Sequence, residues 1–312
     1  MHLKPSENTK LYGMNMFFNE ISNLYNENKM PTKILLSGKK GLGKSTLAYH
    51  IINSILSTDE EFKYDSSNFF INENNRSFKL LQSNSHPNFY LIDLLSDKKN
   101  IDVGQVREMI SYTNKSTFNN KSRFILIDNI ENLNKNSVNA LLKIIEEPND
   151  NVYFILICNS EKKILPTLKS RCLTFKINLT FNESISISNQ ILNDNIFELI
   201  NYDLINFYNT PGEIVNLINF SVDKKIDLKK ITLYNFLNLL IDNGYYKKNK
   251  FVKKLLINFI ELFFLKEYSI STSKKTLLDF YHNFINKIHN VEKFNLDEES
   301  LLLEFKSKLL NG

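Results

Sequence analysis

The run Gly38-Lys39-Lys40-Gly41-Leu42-Gly43-Lys44-Ser45 sets three glycines, a lysine and a hydroxyl at the spacing that wraps backbone around phosphate. The glycines let successive N–H groups turn inward, Lys44 can reach the outer phosphates of a nucleotide, and Ser45 offers an oxygen to Mg2+. Gly38, Gly41, Gly43, Lys44, Ser45 and Thr46 are therefore candidate nucleotide-binding residues, with ATP and Mg2+ as the expected ligands. Such a site needs a carboxylate at the end of a neighbouring strand. Arg123-Phe124-Ile125-Leu126-Ile127-Asp128 is an apolar run that ends in one, so Asp128 joins Ser45 as a candidate Mg2+ ligand. The competing role for Asp128 is to cap the helix that follows.

Two polar residues further along could join this chemistry. Asn159 closes the apolar run Tyr153–Cys158, where a side chain can face a bound phosphate or merely cap a turn. Arg171 sits in the polar turn Leu168-Lys169-Ser170-Arg171-Cys172 and by itself reads as a solvated surface charge.

These residues need a scaffold. Lys33–Ser37, Phe89–Ile92, Phe124–Asp128, Tyr153–Cys158 and Leu173–Phe175 read as short strands alternating with amphipathic helices, the pattern of a parallel α/β sheet. One helix face is Phe17, Ile21, Leu24 and Tyr25, and another is Val138, Leu141, Leu142 and Ile145. Glu60–Ser85 is polar and aperiodic, which predicts a surface insertion. Beyond Ile177 the strand signal ends. Thr210-Pro211-Gly212 breaks the chain before a helix at Glu213–Phe220, and apolar helical stripes follow at Leu233–Ile241, Phe251–Leu265, Leu277–Ile288 and Leu301–Leu310. The expected fold is α/β: a P-loop domain with a parallel sheet over residues 1–177, a small helical lid over 178–224 and an all-α domain over 225–312. The late stripes predict packing or subunit contact and no cofactor.

Composition narrows the function. With 312 residues, 42% of them hydrophobic, the chain can bury a sizeable core. Cys158 and Cys172 are its two cysteines, too few for a disulfide framework or a four-cysteine zinc site, so no zinc is expected. The net charge of +5 spreads 39 basic among 34 acidic residues, a weak polyanion signal. Lys39, Lys40, Lys143, Lys162, Lys163 and Lys169 are not interleaved with aromatic residues, which predicts at most backbone contact with DNA. Met1–Leu11 is polar and no apolar run approaches about 18 residues, so the expectation is a cytoplasmic protein without membrane partners.

Several motifs in order resemble the AAA+ clamp-loader family. Ser170-Arg171-Cys172 is similar to that family's Ser-Arg-Cys turn, and Asn139-Ala140-Leu141-Leu142-Lys143-Ile144-Ile145-Glu146-Glu147-Pro148 to the helix that ends in Leu-Glu-Glu-Pro. His86-Pro87-Asn88, Ile101-Asp102-Val103 and Val106-Arg107 look like the corresponding delta-prime-type segments. The resemblance covers about residues 10–220 and implies a 225–312 collar that holds a pentameric loader together. It implies gamma or tau and delta subunits, a sliding clamp and primed DNA as partners in a nucleoid-associated replisome, Asn159 as a γ-phosphate sensor, and Arg171 as an arginine finger acting in trans on a neighbour's ATP.

The departures matter as much. Hydrolysing relatives place Glu directly after the strand-ending Asp, whereas this chain has Asn129, which cannot serve as a carboxylate base. Pro211-Gly212-Glu213 lacks the arginine that hydrolysing relatives carry there, and the zinc-binding cysteines of the gamma or tau kind are missing. The resulting expectation is a delta-prime-type subunit with weak or no ATPase of its own, set against a gamma or tau-type ATPase. A nucleoside kinase, which would also use Gly38–Ser45, has no use for the Ser-Arg-Cys turn.

Overall fold

The computed structural model describes residues 4–95, 98–115, 121–206, 209–247, 249–270, 273–294 and 297–310. The chain separates into two compact units, one of residues 1–193 with 209–219 and the other of 194–208 with 220–312.

In the first unit, helix α1 (Asn15–Asn26) precedes strand β1 (Lys33–Gly38) and helix α2 (Lys44–Leu56) follows it. Helix α3 (Arg76–Gln82), strand β2 (Phe89–Ile92), helix α4 (Val103–Thr113), strand β3 (Arg123–Ile127) and helix α5 (Lys135–Glu146) come next. Strand β4 (Val152–Asn159), the short helix α6 (Pro166–Lys169), strand β5 (Leu173–Lys176) and helix α7 (Phe181–Leu192) complete the order. All strand pairs are parallel and the spatial order is β2-β3-β4-β1-β5. This is the α/β P-loop fold expected from the alternation of elements.

The core explains why those strands read so clearly. Alternate residues of each strand point to opposite faces. Ile34, Leu36, Phe124, Leu126, Ile155 and Ile157 face one apolar cluster with Phe18 and Ile21 of α1 and Leu47, Ile51 and Ile52 of α2. Leu35, Ile125, Ile127, Phe154, Leu156 and Cys158 face another with Val106 and Met109 of α4 and Leu141 and Ile145 of α5. A sheet covered on both faces needs continuous apolar strands, and β3 is buried at all five positions. Its first residue, Arg123, donates from one terminal nitrogen to the carbonyls of Tyr112, Thr113 and Lys115, which lets a guanidinium be buried.

Glu60–Ser85 is not a mere surface insertion. Tyr64, Ile71, Phe78 and Leu81 are buried in the first cluster, and residues 76–82 form α3. Polar contacts fix the segment: Asn53 donates to Asn75, Asn75 to the carbonyl of Phe62, and the Ser77 hydroxyl to Glu60.

The described residues of the second unit form helices joined by turns and loops, with no strand among them. It holds α8 (Ile196–Leu199), the last residues of α9 (Pro211–Lys224), α10 (Leu233–Asp242), α11 (Lys250–Ile270), α12 (Lys274–Phe294) and α13 (Glu298–Phe305). Phe236 meets Phe259 edge to face, and Phe263, Phe264 and Phe284 gather around Phe305. No helix among the described residues is long and apolar enough to cross a membrane.

Candidate functional site

Strand β1 ends at Gly38 and α2 begins at Lys44, so the residues between must reverse direction in a few steps. Gly41 and Gly43 do so with φ of 87° and 90°, a region that side chains rarely tolerate. Gly43 precedes α2, leaving the first amides of that helix as donors at its positive end. Lys44 is 5% exposed, and its ammonium donates to the carbonyls of Gly38 (2.9 Å) and Lys39 (2.6 Å), which braces the loop from within. Burial pulls the Lys44 pKa down, while the carboxylates of Asp128 and, more weakly, Glu131 oppose the shift.

Asp128 lies just beyond β3, beside α2, because β3 and β1 both flank β4. The Ser45 hydroxyl donates to Asp128 Oδ2 at 2.5 Å, which brings the two candidate Mg2+ ligands together. Burial raises the Asp128 pKa, opposed by the Ser45 hydrogen bond. Paired oxygens beside a buried ammonium, at the positive end of a helix, suit a hard cation and a polyanion. Gly43 supports the fit, since no atom would lie within 4 Å of a Cβ there and the loop backbone is open to a ligand.

A cavity of about 720 Å3 opens over this loop, lined by Gly41, Gly43, Lys44, Ser45, Thr46, Asp128 and Asn159. That volume suits a nucleotide-sized ligand. Gly38 lies behind the loop rather than on the cavity wall, its carbonyl holding Lys44. Thr46 accepts a hydrogen bond from the Asn8 side chain at 3.3 Å. The Asn159 side chain accepts from the N–H of Glu161 and donates towards its carboxylate, so it caps a turn at the cavity edge.

Other walls have no local signal in the sequence. Asn8, Leu11 and Tyr12 come from the segment before α1, Ile187 and Ile191 from α7, and Val215 from α9. Glu131 also lines the cavity and accepts the Asn159 N–H at 3.2 Å. Thr210-Pro211-Gly212, whose contact with the loop has no local signal, docks on the phosphate loop: Thr210 Oγ1 donates to the Lys40 carbonyl and the Gly212 N–H to the Gly41 carbonyl, both at 2.9 Å.

Arg171 is not in this cavity. It sits after α6, where each residue of the Ser-Arg-Cys turn has a separate job. Ser170 folds its hydroxyl back to the Thr167 carbonyl at 3.1 Å. Cys172 packs against the α4/α5-side core, and burial pushes its thiol up to about 11. Arg171 between them is exposed and bound to Glu146 at the end of α5.

The sequence profile described as DNA polymerase III, delta subunit, matches residues 13–180. DNA polymerase III subunit delta' of Buchnera aphidicola subsp. Schizaphis graminum is 31% identical over 185 residues, 58% of this chain and 54% of the relative. Subunit gamma of the same organism is 32% identical over 184 residues, 58% of this chain and 48% of the relative. Subunit gamma of Buchnera aphidicola subsp. Acyrthosiphon pisum is 26% identical over 314 residues, covering 96% of this chain and 82% of the relative. The chain thus spans about half the length of the first two of these relatives. Because the profile match runs from before α1 to beyond β5, across more than half of the sequence, the chain belongs to the DNA polymerase III delta subunit family.

Proposed function

We propose that this chain is a delta-prime-type subunit of a clamp loader, working in the cytoplasmic replisome with gamma or tau and delta subunits to place a sliding clamp on primed DNA. The observation that carries the reading is the placement of Arg171, an exposed residue on a turn whose neighbours are anchored and whose guanidinium is held in place by Glu146 and the Thr167 carbonyl. A guanidinium presented in this way offers a fixed cation to a neighbouring subunit's γ-phosphate. An arginine supplied in trans contributes about 10³ to 10⁵ in rate in other P-loop enzymes.

The chain's own site is read as binding Mg2+–ATP and turning it over weakly. Bound nucleotide would supply a phosphoryl group for transfer to water. The loop amides and Lys44 would hold its phosphates, and Ser45 with Asp128 would hold the cation. What the site lacks is a carboxylate directly after Asp128: Asn129 occupies that position, and its side chain is committed to Asp93. Division of the chain into a P-loop domain at 1–177, a lid at 178–224 and a collar at 225–312 belongs to the same proposal, with the collar as the element that joins subunits.

The test is the ATPase rate of the purified chain alone and mixed with gamma or tau, delta, clamp and primed DNA. The expected result is negligible turnover alone and stimulated turnover in the mixture that Arg171→Ala abolishes while assembly persists. The competing reading is an ATP-hydrolysing gamma or tau-type subunit, favoured by the intact Gly38–Ser45 loop and by the 32% identity to a gamma subunit. Vigorous turnover by the chain alone would establish that reading instead.

A further inference from the structure

The sequence contains four arginines, Arg76, Arg107, Arg123 and Arg171, against a large excess of lysines. Where lysine is so strongly used for positive charge, a retained arginine points to a need for its planar fork. Arg123 meets such a need in the core. Arg171 meets another at the surface, and its contacts are directional. Its Nε donates to Glu146 Oε1 at 3.0 Å and Nη2 reaches the same oxygen at 2.7 Å, so one carboxylate oxygen takes the side edge of the guanidinium. Nη1 donates to the Thr167 carbonyl at 2.8 Å. Of five N–H groups, these contacts use one on each nitrogen and leave one on each of Nη1 and Nη2. With the Cδ-facing hydrogen of Nη1 on the Thr167 carbonyl, the remaining pair is the outer fork, the geometry that grips a phosphate in bidentate fashion.

Glu146 ends α5, where the helix dipole disfavours an anion, so its position there calls for a compensating cation. We propose that Glu146 is the positioning residue of Arg171: it holds the side edge of the guanidinium so that the outer fork faces a phosphate oxyanion on a neighbouring subunit. This rests on the reading of Arg171 as an arginine acting in trans. Two features set the geometry. The turn Pro148 imposes after α5 keeps Glu146 at the helix end, and the Thr167 carbonyl, already holding Ser170, fixes the opposite side of the fork.

The test has two arms. In the isolated chain, nitrogen-15 NMR of the arginine Nε–H groups should show Arg171 slowly exchanging, and Glu146→Gln should abolish that protection with the other three signals unmoved. In the reconstituted loader, Glu146→Gln should lower kcat for ATP about 10- to 100-fold with KM within about two-fold, the range expected for a misplaced reacting group. Affinity for ADP–aluminium fluoride should fall in the same proportion, with affinity for ADP retained. Glu146→Asp should recover part of the loss, and Glu146→Gln combined with Arg171→Ala should be no slower than Arg171→Ala alone. A Glu146→Gln loader that hydrolyses like wild type while Arg171→Ala is slow overturns the proposal, as does an Arg171 Nε–H indifferent to Glu146. An unchanged rate in Arg171→Ala with the Nε–H still protected overturns the trans-arginine reading itself, and the proposal with it.

Discussion

Asn129 donates its side-chain amide to Asp93 Oδ1 at 2.7 Å while its backbone N–H donates to Asp128 Oδ1 at the same distance. Its φ is 56°, a left-handed conformation that Asn adopts at little cost and Glu does not. The residue therefore does more than leave out a base, because its amide ties the end of β2 to the end of β3. A carboxylate placed here would face Asp93 and Asp128 together. Asn129→Glu alone should thus destabilise the fold by about 1–3 kcal/mol through like charge and a lost hydrogen bond, and should raise turnover only modestly. Asn129→Glu with Asp93→Asn restores a donor to the pair and should hydrolyse ATP at least about 10-fold faster than wild type in single-turnover assays of the isolated chain. Equal rates for the double variant and wild type would mean that the missing carboxylate is not what limits the site.

Much of this arrangement is legible in the sequence, for a physical reason. Strands buried on both faces must be apolar, so the runs that become β3 and β4 stand out most, and all five runs from Lys33 to Phe175 fall within about a residue of the observed strands at either end. The loop before α2 is legible because phosphate binding needs glycines at fixed spacing. Contacts between distant segments are not. Glu60–Ser85 lacks a period because Tyr64, Ile71, Phe78 and Leu81 reach the core from turns and one short helix. Thr210 and Gly212 meet the phosphate loop from about 170 residues away, and Arg171 meets Glu146 across 25. Both motifs of that last pair are readable separately, and only folding joins them.

Gly212 and Gly43 should fail in different ways. A Cβ on Gly212 would lie 2.8 Å from Gly41 Cα and 3.0 Å from its carbonyl oxygen, against backbone that cannot swing aside. Gly212→Ala should therefore displace the phosphate loop and weaken binding of a fluorescent ATP analogue by about 10-fold, since a small misplacement of binding groups is expensive. At Gly43 there is open space but a φ of 90°, so Gly43→Ala should cost about 1–2 kcal/mol of stability from backbone strain alone. Nucleotide titration and thermal melts on both variants check this. Unaltered affinity in Gly212→Ala would mean that the docked segment does not shape the loop.

His50 ties α2 to the chain before α1, and this contact should make the first unit sensitive to acid. The ring is fully buried, with Nε2 3.1 Å from the Asn8 carbonyl and Nδ1 2.9 Å from the Tyr64 hydroxyl. A neutral ring with its proton on Nε2 donates to the carbonyl and accepts from the phenol, so both partners are satisfied without a charge. Burial pushes the His50 pKa down to about 4, against about 6.5 for an unfolded chain. Below about pH 6.5 the unfolded state takes up a proton that the folded state refuses. The stability involved is complete above that pH and drains away as pH falls towards about 4, by at most roughly 3 kcal/mol. His86, also held near 4 by burial, adds to the loss in the same window, with Glu60 opposing that shift. Urea unfolding read through hydrogen exchange of α2 amides at pH 7.5 and 5 should show this loss in wild type. In His50→Gln the drop between the two pH values should shrink to the part His86 supplies. Equal drops in the two proteins would mean that His50 titrates normally and that its contacts with Asn8 and Tyr64 do not hold it neutral.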